Sequence, residues 1–447
     1  MLEQTIMSYF SRHADSLTKN RIFTAVATST VSRRLINWWA RKNYIEPLIE
    51  HPTNEKIYAL IGKFEKATHS LIPESADRTL ESRMLALLKR EFETAVNTGQ
   101  DNNFTRKAKR TLELIGENGL QMALDVALTG YSVGLLKRRV NGGLYLTVML
   151  LQENSDCNQK PRCRGCYAEG DEGKLDYGTL DRVVKEAAEL ACRYIVLVGG
   201  EPLLEMDTTL KLFSANRKMP FVLFTNGTLV NEKYAETAAR LGNVATVINI
   251  PGGEHTSILM RRDQNAWNYI RQAAEILREH RAPMGFVSTV YQENYEELSS
   301  REFIEQMEKL NAVFGLFLGY KDIVGCAPMS DLSLTPEMTS DFCSRVKKVS
   351  SEVPVVLINS VEGEMLIGGC LAAKGGATYV KSNGDVAICP RVPQSRPDLN
   401  VHNRPLKAIL GSEYFRLARS YGRGCGCLAE NPDFLSQAMQ LLKSGGK

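Results

Sequence analysis

Three cysteines within ten residues are the strongest chemical signal in this 447-residue chain. Cys157, Cys163 and Cys166 directly follow the apolar run 144–151. Three thiolates so close in sequence can face one metal centre, and thiolates are the usual protein ligands of iron–sulfur clusters. A cuboidal 4Fe–4S cluster normally takes four of them. A site with three leaves one iron open to an exogenous ligand, which indicates chemistry as well as electron storage.

Two other interpretations of these thiols stay open. Zinc prefers four closed ligands in tetrahedral geometry, and the nearest further candidates, Cys192 and His255, lie far along the chain. Structural cysteines are the second alternative. A disulfide is disfavoured because the N-terminal residues do not resemble a cleavable secretion signal. The ten cysteines of the chain therefore indicate a reducing cytoplasm and metal ligation.

The segment after the next apolar run is short, glycine-rich and closed by a carboxylate. Gly199, Gly200, Glu201 and Pro202 follow the run 194–198. Two glycines at the end of a strand let the backbone approach a ligand closely, and a glutamate accepts hydrogen bonds from an ammonium group. Together, the two motifs predict an amino-acid-like ligand bound beside the metal centre.

These motifs resemble the signature of the radical S-adenosylmethionine (radical SAM) superfamily. Tyr167 beside the last cysteine and the Thr225-Asn226-Gly227 turn after a third apolar run add to the similarity, which extends from about residue 144 to the C-terminus. The first cysteine gap departs from the signature, since it holds five residues where the superfamily usually has three. Three thiolates can still share one face if the extra residues bulge outward.

The resemblance implies that Cys157, Cys163 and Cys166 hold a 4Fe–4S cluster whose open iron binds S-adenosylmethionine. Reductive cleavage of that molecule gives a 5′-deoxyadenosyl radical, which would modify an unreactive carbon of the substrate. A reductase, flavodoxin or ferredoxin is the expected electron donor. The implied cofactor contacts are Tyr167, Gly199, Gly200, Glu201, Pro202, Asn226, Arg262 and Ser288.

A later segment matches the superfamily less well. Relatives usually have a serine at the end of the fourth strand and then D-x-R-R-G, whereas this chain has Asn249 and then Arg261-Arg262-Asp263. Arg261 or Arg262 is expected to pair with the cofactor carboxylate through a bidentate contact. The altered segment also supports a competing class of protein, a non-catalytic scaffold that holds zinc or a cluster purely for structure.

From residue 144 onward, runs of strand length alternate with segments of helical periodicity. This alternation predicts an α/β fold with a parallel sheet. Six repeats predict a partial (β/α)6 barrel, in which ligands bind at the carboxyl ends of the strands. The predicted strands are 144–151, 194–198, 220–225, 244–250, 283–290 and 313–318, and the predicted helices are 180–192, 208–215, 231–241, 266–279 and 295–310.

A second cysteine set after residue 331 predicts another metal centre. Its four thiols are Cys370, Cys389, Cys425 and Cys427. The segment 379–389 is typical of a β-hairpin with its turn at Asn383-Gly384. The pattern resembles the SPASM and twitch auxiliary domains, which implies a second iron–sulfur cluster, and zinc on four thiolates stays the alternative. The remaining cysteines, Cys192, Cys326 and Cys343, are predicted to be small buried hydrophobes.

The domain prediction has three parts: a helical accessory domain over 1–142, a radical SAM partial barrel over 143–330, and a small α+β iron–sulfur domain over 331–447. The formal charge of +4 is too small to indicate nucleic-acid binding. No uncharged apolar run reaches the roughly 20 residues that cross a bilayer.

Basic residues surround Trp38-Trp39 within the first 45 residues. This composition suits the anionic surface of a membrane, although the tryptophans also fit a protein core. The expected location is the cytoplasm, with peripheral contact at the inner face of the membrane. The expected substrate is a lipid or isoprenoid-like amphiphile, and a ribosomally made peptide is the alternative.

Overall fold

The computed structural model describes residues 106–107, 110–111, 114, 144, 146–168, 172–324, 331–361, 370–422 and 426–444. The predicted accessory domain therefore lies outside the described residues except for a few helical positions between 106 and 114. The basic segment 1–45 and the cysteines at 326 and 425 lie outside them altogether.

The described strands form one open nine-stranded sheet in the order β7-β6-β5-β4-β3-β2-β1-β8-β9. Every neighbouring pair is parallel except β8 and β9. The open parallel sheet confirms the predicted α/β partial barrel. The strands are β1 (Val148–Gln152), β2 (Tyr194–Val198), β3 (Phe221–Thr225), β4 (Val244–Asn249), β5 (Met284–Val290), β6 (Phe314–Gly319), β7 (Val356–Asn359), β8 (Ala377–Val380) and β9 (Val386–Ala387).

The crossover helices cover one face of this sheet. Within the described ranges, no helix is both long enough and apolar enough to cross a bilayer. The helices are α1 (Tyr177–Glu189), α2 (Met206–Ala215), α3 (Glu232–Leu241), α4 (Glu254–Arg261), α5 (Ala266–Glu279), α6 (Tyr295–Leu298), α7 (Arg301–Lys309), α8 (Pro336–Ser350), α9 (Leu406–Leu410), α10 (Glu413–Ser420) and α11 (Pro432–Lys443), with 3₁₀ turns at Pro202–Glu205, Pro397–Leu399 and Leu428–Glu430.

Side-chain capping explains where the predicted helices were misplaced. Asp176 accepts a hydrogen bond from the Thr179 amide, so α1 begins before the predicted residue 180. Ser300 caps Phe303 in the same way, so the helix predicted over 295–310 is divided into α6 and α7. Helix α4 was missed, because its sequence lies in the segment where the superfamily resemblance is weakest.

The two faces of the sheet bury different sets of side chains. Met149, Leu151 and Ile195 point toward the helices and belong to the main core. The alternate residues Val148 and Val196 belong to a smaller cluster on the opposite, inner face of the sheet. Each large aliphatic side chain buried in this way contributes about 1.5–3 kcal/mol. The inner face is the concave side of the partial barrel.

The C-terminal region contributes strands to the same sheet. β7 pairs with β6, and β8 pairs with β1. The sheet therefore continues across the domain boundary that was placed at residue 330, and a separate auxiliary domain stays a prediction. The predicted hairpin is confirmed: Gly384 has φ +87° and donates its amide to the Lys381 carbonyl at 2.9 Å in the turn between β8 and β9.

Candidate metal and cofactor site

The structure brings the three predicted motifs to one edge of the sheet. The cysteine loop follows β1, the Gly-Gly-Glu-Pro segment follows β2, and the Thr-Asn-Gly turn follows β3. The amide nitrogen of the Asn226 side chain lies 3.9 Å from Cys157 Sγ and donates to Asn158 Oδ1 at 2.9 Å. Carboxyl ends of parallel strands are where ligands bind in barrels of this kind.

The three thiols of this edge are electrostatic neighbours. Burial raises the pKa of Cys163 to about 11, the positive charge of Arg261 opposes the increase, and the charges of Cys166 and Cys157 add to it. A thiol with so high a pKa stays protonated at neutral pH unless a metal ion displaces the proton. In the part of the chain that the structure describes, no three Cys, His, Asp or Glu side chains form a ligand group for a single metal ion.

The five-residue cysteine gap is tied to its surroundings by hydrogen bonds. Asn158 donates to Thr228 Oγ1 at 2.7 Å, which ties the gap to the turn after β3. Arg162 donates to the Ser155 carbonyl at 2.6 Å and closes the loop on itself. Gln159 is only 5% exposed. Gln159 is therefore folded into this edge of the sheet, whereas Asn158, Lys160 and Pro161 remain exposed, as expected for a gap that bulges outward.

The paired glycines allow the backbone at the start of the cysteine loop to pack closely against the end of β2. A Cβ on Gly200 would lie 1.7 Å from the Asp156 carbonyl oxygen, and Gly199 has φ +146°. The amides of Gly200 and Glu201 donate to the carbonyls of Asn154 and Asp156. The close approach predicted for a ligand is thus made to the start of the cysteine loop, which only glycine permits at these positions.

Glu201 is completely buried and already accepts three hydrogen bonds. They come from Thr225 Oγ1 and the Asn226 amide at 2.7 Å and from the Leu203 amide at 3.0 Å. Burial raises the pKa of Glu201, and these hydrogen bonds oppose the increase. The expected salt link with a cofactor ammonium group has no exposed carboxylate oxygen to use, so Glu201 instead positions the turn after β3.

Arg261, rather than Arg262, points into the site. Arg261 is 1% exposed and donates to the Asn226 carbonyl at 2.7 Å and to the Asn249 carbonyl. Arg262 ends α4 in the left-handed conformation with φ 55° and is exposed. The helix end exposes the Arg262 side chain to solvent, and its predicted cofactor contact stays a prediction.

The other predicted contacts differ in accessibility. Ser288 is fully buried and donates its hydroxyl to the Ile250 carbonyl at 2.5 Å, so the predicted cofactor contact lacks a free hydroxyl. Pro202 is buried and begins a 3₁₀ turn. Tyr167, beside Cys166, keeps 39% of its surface exposed.

Comparison with known proteins supports the same interpretation. A profile of the Radical SAM superfamily matches residues 155–304, which include all three cysteines and the glycine-rich segment. This segment resembles a radical SAM domain. The match indicates an enzyme of that superfamily, and the radical SAM domain implies S-adenosylmethionine and an iron–sulfur cluster.

Relatives of the radical SAM domain are distant in sequence. An uncharacterized protein from Methanocaldococcus jannaschii is 24% identical over 54% of this chain and 84% of its own length. Fe-coproporphyrin III synthase from Methanosarcina barkeri is 23% identical over 40% of this chain, which spans less than half (45%) of that protein. Sequence similarity at this level does not identify a substrate.

Solved structures show the same fold at low identity. SuiB from Streptococcus suis has a TM-score of 0.51 at 15% identity, over 66% of this chain and 72% of SuiB. The enzyme anSMEcpe, crystallised with AdoMet and a peptide, has a TM-score of 0.52 at 19% identity, over 66% of this chain and 96% of that chain. These likenesses show the fold alone.

A second group of thiols lies in the C-terminal part of the sheet. Burial raises the pKa of Cys389 to about 12, and the nearby charges of Cys370 and Cys427 add to the increase. Arg391 Nη1 donates to Cys427 Sγ at 2.7 Å. Three of the four predicted thiols are thus neighbours, and Cys425 lies outside the described residues.

The two thiol groups lie toward opposite ends of the sheet. The cysteine loop lies at the carboxyl end of β1. Cys370 precedes β8, which runs parallel to β1, and the antiparallel β9 leads the chain back to Cys389. Cys370 and Cys389 therefore lie toward the amino end of β8, away from the cysteine loop.

Sequence reasoning missed two kinds of residue at this edge. The sequence motif predicts no role for Arg164, although its side chain forms ion pairs with both Glu293 and Asp331. Gln159 and Asn158 were treated as insertion residues. A charged side chain inside a cysteine motif is a signal that could have pointed to Arg164, but its partners lie 129 and 167 residues away in the chain.

Proposed function

We propose that this protein reductively cleaves S-adenosylmethionine and uses the resulting 5′-deoxyadenosyl radical to modify an unreactive carbon of its substrate. The observation that carries the proposal is the electrostatic proximity of Cys157, Cys163 and Cys166 on one loop beside the turn after β3, within the segment that matches the superfamily profile. A 4Fe–4S cluster bound there would supply the electron for reductive cleavage and a site for S-adenosylmethionine. A reductase, flavodoxin or ferredoxin is the proposed donor.

The residues around the thiols have separate tasks in this proposal. Cys157, Cys163 and Cys166 hold the cluster. Arg261 offsets part of the negative charge of the thiolates, because it is a buried cation that interacts with Cys163. The exposed ring of Tyr167 and the side-chain amide of Asn226 face the cofactor. The chain thus supplies orientation, charge compensation and exclusion of water.

The substrate space is proposed to be the inner face of the sheet. Within the described strands, no position carries Asp, Glu, Lys, Arg or His. Leu150, Val222 and Phe224 line this face on the β1–β3 side and remain partly exposed. Val356 and Ile358 line it on β7, where they are 37% and 47% exposed. A charge-free surface of this kind favours an apolar chain.

A lipid or isoprenoid-like amphiphile is therefore the substrate class that the geometry supports best. Burial of apolar substrate surface against uncharged walls contributes about 25 cal/mol of binding free energy per Å². The same walls offer no partners to the ionised groups of a substrate. A ribosomally made peptide is the alternative, since anSMEcpe of similar fold has been crystallised with a peptide.

A second iron–sulfur cluster is proposed on Cys370, Cys389, Cys425 and Cys427. The support is the grouping of the three described thiols. Their position toward the amino end of β8 favours electron transfer over direct binding of a substrate at the cysteine loop. Hydrogen bonds to cluster sulfurs tune reduction potentials, and Arg391 supplies one to Cys427.

The test of the primary activity is anaerobic reconstitution with iron and sulfide, followed by measurement of 5′-deoxyadenosine under a strong reductant. The proposal predicts 5′-deoxyadenosine from the wild type. A full complement of iron without any product would contradict the enzymatic reading. Zinc as the sole metal after anaerobic purification, without visible charge-transfer absorbance, would favour the non-catalytic scaffold.

The substrate class is tested by the stimulation of cleavage. A total lipid extract should raise 5′-deoxyadenosine formation above the substrate-free rate, whereas a tryptic peptide mixture should not. Stimulation by the peptides alone would favour the peptide alternative.

Membrane contact stays a separate proposal, because it concerns the first 45 residues. Full-length protein should float with anionic vesicles at moderate salt. Replacement of Arg33, Arg34, Arg41 and Lys42 by Gln should weaken flotation, since these residues are proposed to meet phosphate groups. Unchanged flotation in that variant would contradict the contact.

A further inference from the structure

We propose that Arg164 is a positioning residue, whose guanidinium fixes the second half of the cysteine loop to the segments that follow β5 and β6. The inference rests on the proposed function, because the loop matters for catalysis only if it holds the cluster. Arg164 lies between Cys163 and Cys166 in the sequence, so its contacts affect the positions of two of the three thiols.

The guanidinium binds two carboxylates from distant parts of the chain. Arg164 Nη1 donates to both carboxylate oxygens of Glu293 at 2.7 Å, and Nη2 donates to Asp331 Oδ2 at 2.6 Å. Glu293 follows β5, and Asp331 lies beyond β6. One side chain thus joins three segments at the carboxyl-end edge of the sheet, with short, charge-assisted hydrogen bonds.

The backbone beside Arg164 is held by a second set of contacts. The Arg164 amide donates to the Met260 carbonyl at 2.9 Å. Gly165 has φ +69°, and a Cβ there would lie 2.9 Å from Leu332 Cδ1 and 3.2 Å from the Tyr320 ring. Met260, Tyr291, Leu332 and Tyr320 form a small apolar cluster apart from the main core. We call Arg164 and this cluster the loop clamp.

The energetics favour a positional effect over a large contribution to stability. An isolated surface ion pair contributes little to stability. Glu293 and Asp331 are 44% and 60% exposed, so the three hydrogen bonds of Arg164 act mainly by fixing the position of the loop. Loss of the guanidinium removes the shared partner of Glu293 and Asp331. It also frees Cys163 and Cys166 to shift relative to Cys157.

The chain contains a matched control for the loss of such an arginine. Arg301 on α7 also bridges two acids, with hydrogen bonds to Glu305 at 2.7 Å and to Glu352 at 3.2 Å. It lies on a helix away from the cysteine loop, and its side chain is 56% exposed. Arg301→Gln removes the same charge and the same kind of bridge without touching the loop clamp.

The experiment compares full-length wild type, Arg164→Gln, Arg164→Lys and Arg301→Gln after anaerobic reconstitution. Iron per chain, the melting temperature, the electron paramagnetic resonance (EPR) spectrum of the reduced cluster with and without S-adenosylmethionine, and the 5′-deoxyadenosine rate are measured. Arg164→Gln should alter the spectral response to S-adenosylmethionine and lower the rate by roughly tenfold or more, as expected for reacting groups held out of position. Arg164→Lys should restore part of both, and Arg301→Gln should match the wild type.

Two further variants keep the test decisive if Arg164→Gln loses iron or aggregates. Glu293→Gln and Asp331→Asn leave Arg164 in place and each remove one partner. A changed EPR response in either variant supports the clamp, and wild-type spectra and rates in both overturn it. Equal spectra for Arg164→Gln and Arg301→Gln also overturn it. A wild type without any cluster signal would instead contradict the proposed function, whatever the variants do.

Discussion

The two cysteine groups differ in how the fold positions their thiols. Cys157, Cys163 and Cys166 lie on a loop beyond β1, and hydrogen bonds to α4, to the turn after β3 and to the segments after β5 and β6 hold that loop. Cys370 and Cys389 flank the β8–β9 hairpin, whose register with β1 sets their position. The positions of the first three thiols therefore depend on tertiary contacts, whereas the positions of Cys370 and Cys389 depend mainly on strand pairing in the sheet.

The electrostatic settings of the two groups differ as well. The first group has the fully buried Arg261 nearby, which donates to backbone carbonyls and not to sulfur. In the second group, Arg391 donates directly to Cys427 and also binds Glu430 at 3.0 Å. The first arrangement leaves the thiols open toward the sheet edge and the inner face. The second suits a closed centre that stores or passes an electron.

Removal of one thiol from the first group should have the largest effect. Cys163→Ala should abolish 5′-deoxyadenosine formation, because two thiolates do not hold a cluster with an open iron in place. Iron should fall by about one cluster. Cys343→Ala on α8 serves as the control and should retain both. If Cys163→Ala still formed 5′-deoxyadenosine, the first cysteine group would not be the one that holds the catalytic cluster.

Loss of the second group should have an intermediate effect. Cys370→Ala combined with Cys389→Ala should lower the iron content by about one cluster, since the two ligand sets do not overlap. Cleavage of S-adenosylmethionine without substrate should persist. Unchanged iron and sulfide in this double variant would refute the second centre, and loss of all iron would show that the two groups are not independent.

The smallest predicted effect concerns a buried carboxyl at the end of β1. Glu153 is fully buried, and burial raises its pKa from 4.5 to about 8 although Thr209 donates a hydrogen bond to it at 2.7 Å. The folded state therefore binds more protons than the unfolded state between these two values. The stability contributed by the neutral carboxyl is full below pH 4.5 and is lost as the pH rises through about 8.

Glu153→Gln should remove this pH dependence, because the amide keeps an acceptor for Thr209 and does not ionise. The melting temperature of the variant relative to the wild type should rise between pH 5 and pH 8, since each pKa unit corresponds to about 1.4 kcal/mol. Thermal unfolding across this range measures the difference. A constant difference between the two proteins would mean that Glu153 does not titrate in this window.

Local sequence determined most of the sheet. The bounds of β2 and of α5 match the predicted ranges 194–198 and 266–279, because a run of β-branched residues and a long amphipathic periodicity are decided by neighbours in the chain. The turn at Gly384 was equally local, since only a few residues set its geometry. The cysteine motif and the glycine-rich segment were recognisable for the same reason.

Only the tertiary structure decided which side chains meet. Arg261 and Arg262 are adjacent in sequence, yet the end of α4 buries the first and exposes the second. The carboxylate of Glu201 is occupied by donors from the turn after β3, more than twenty residues away in the chain. Arg164 finds its partners beyond β5 and β6. Such contacts depend on how strands that are distant in sequence pair in the sheet. A sequence motif specifies the type of each residue but not the residue that it contacts.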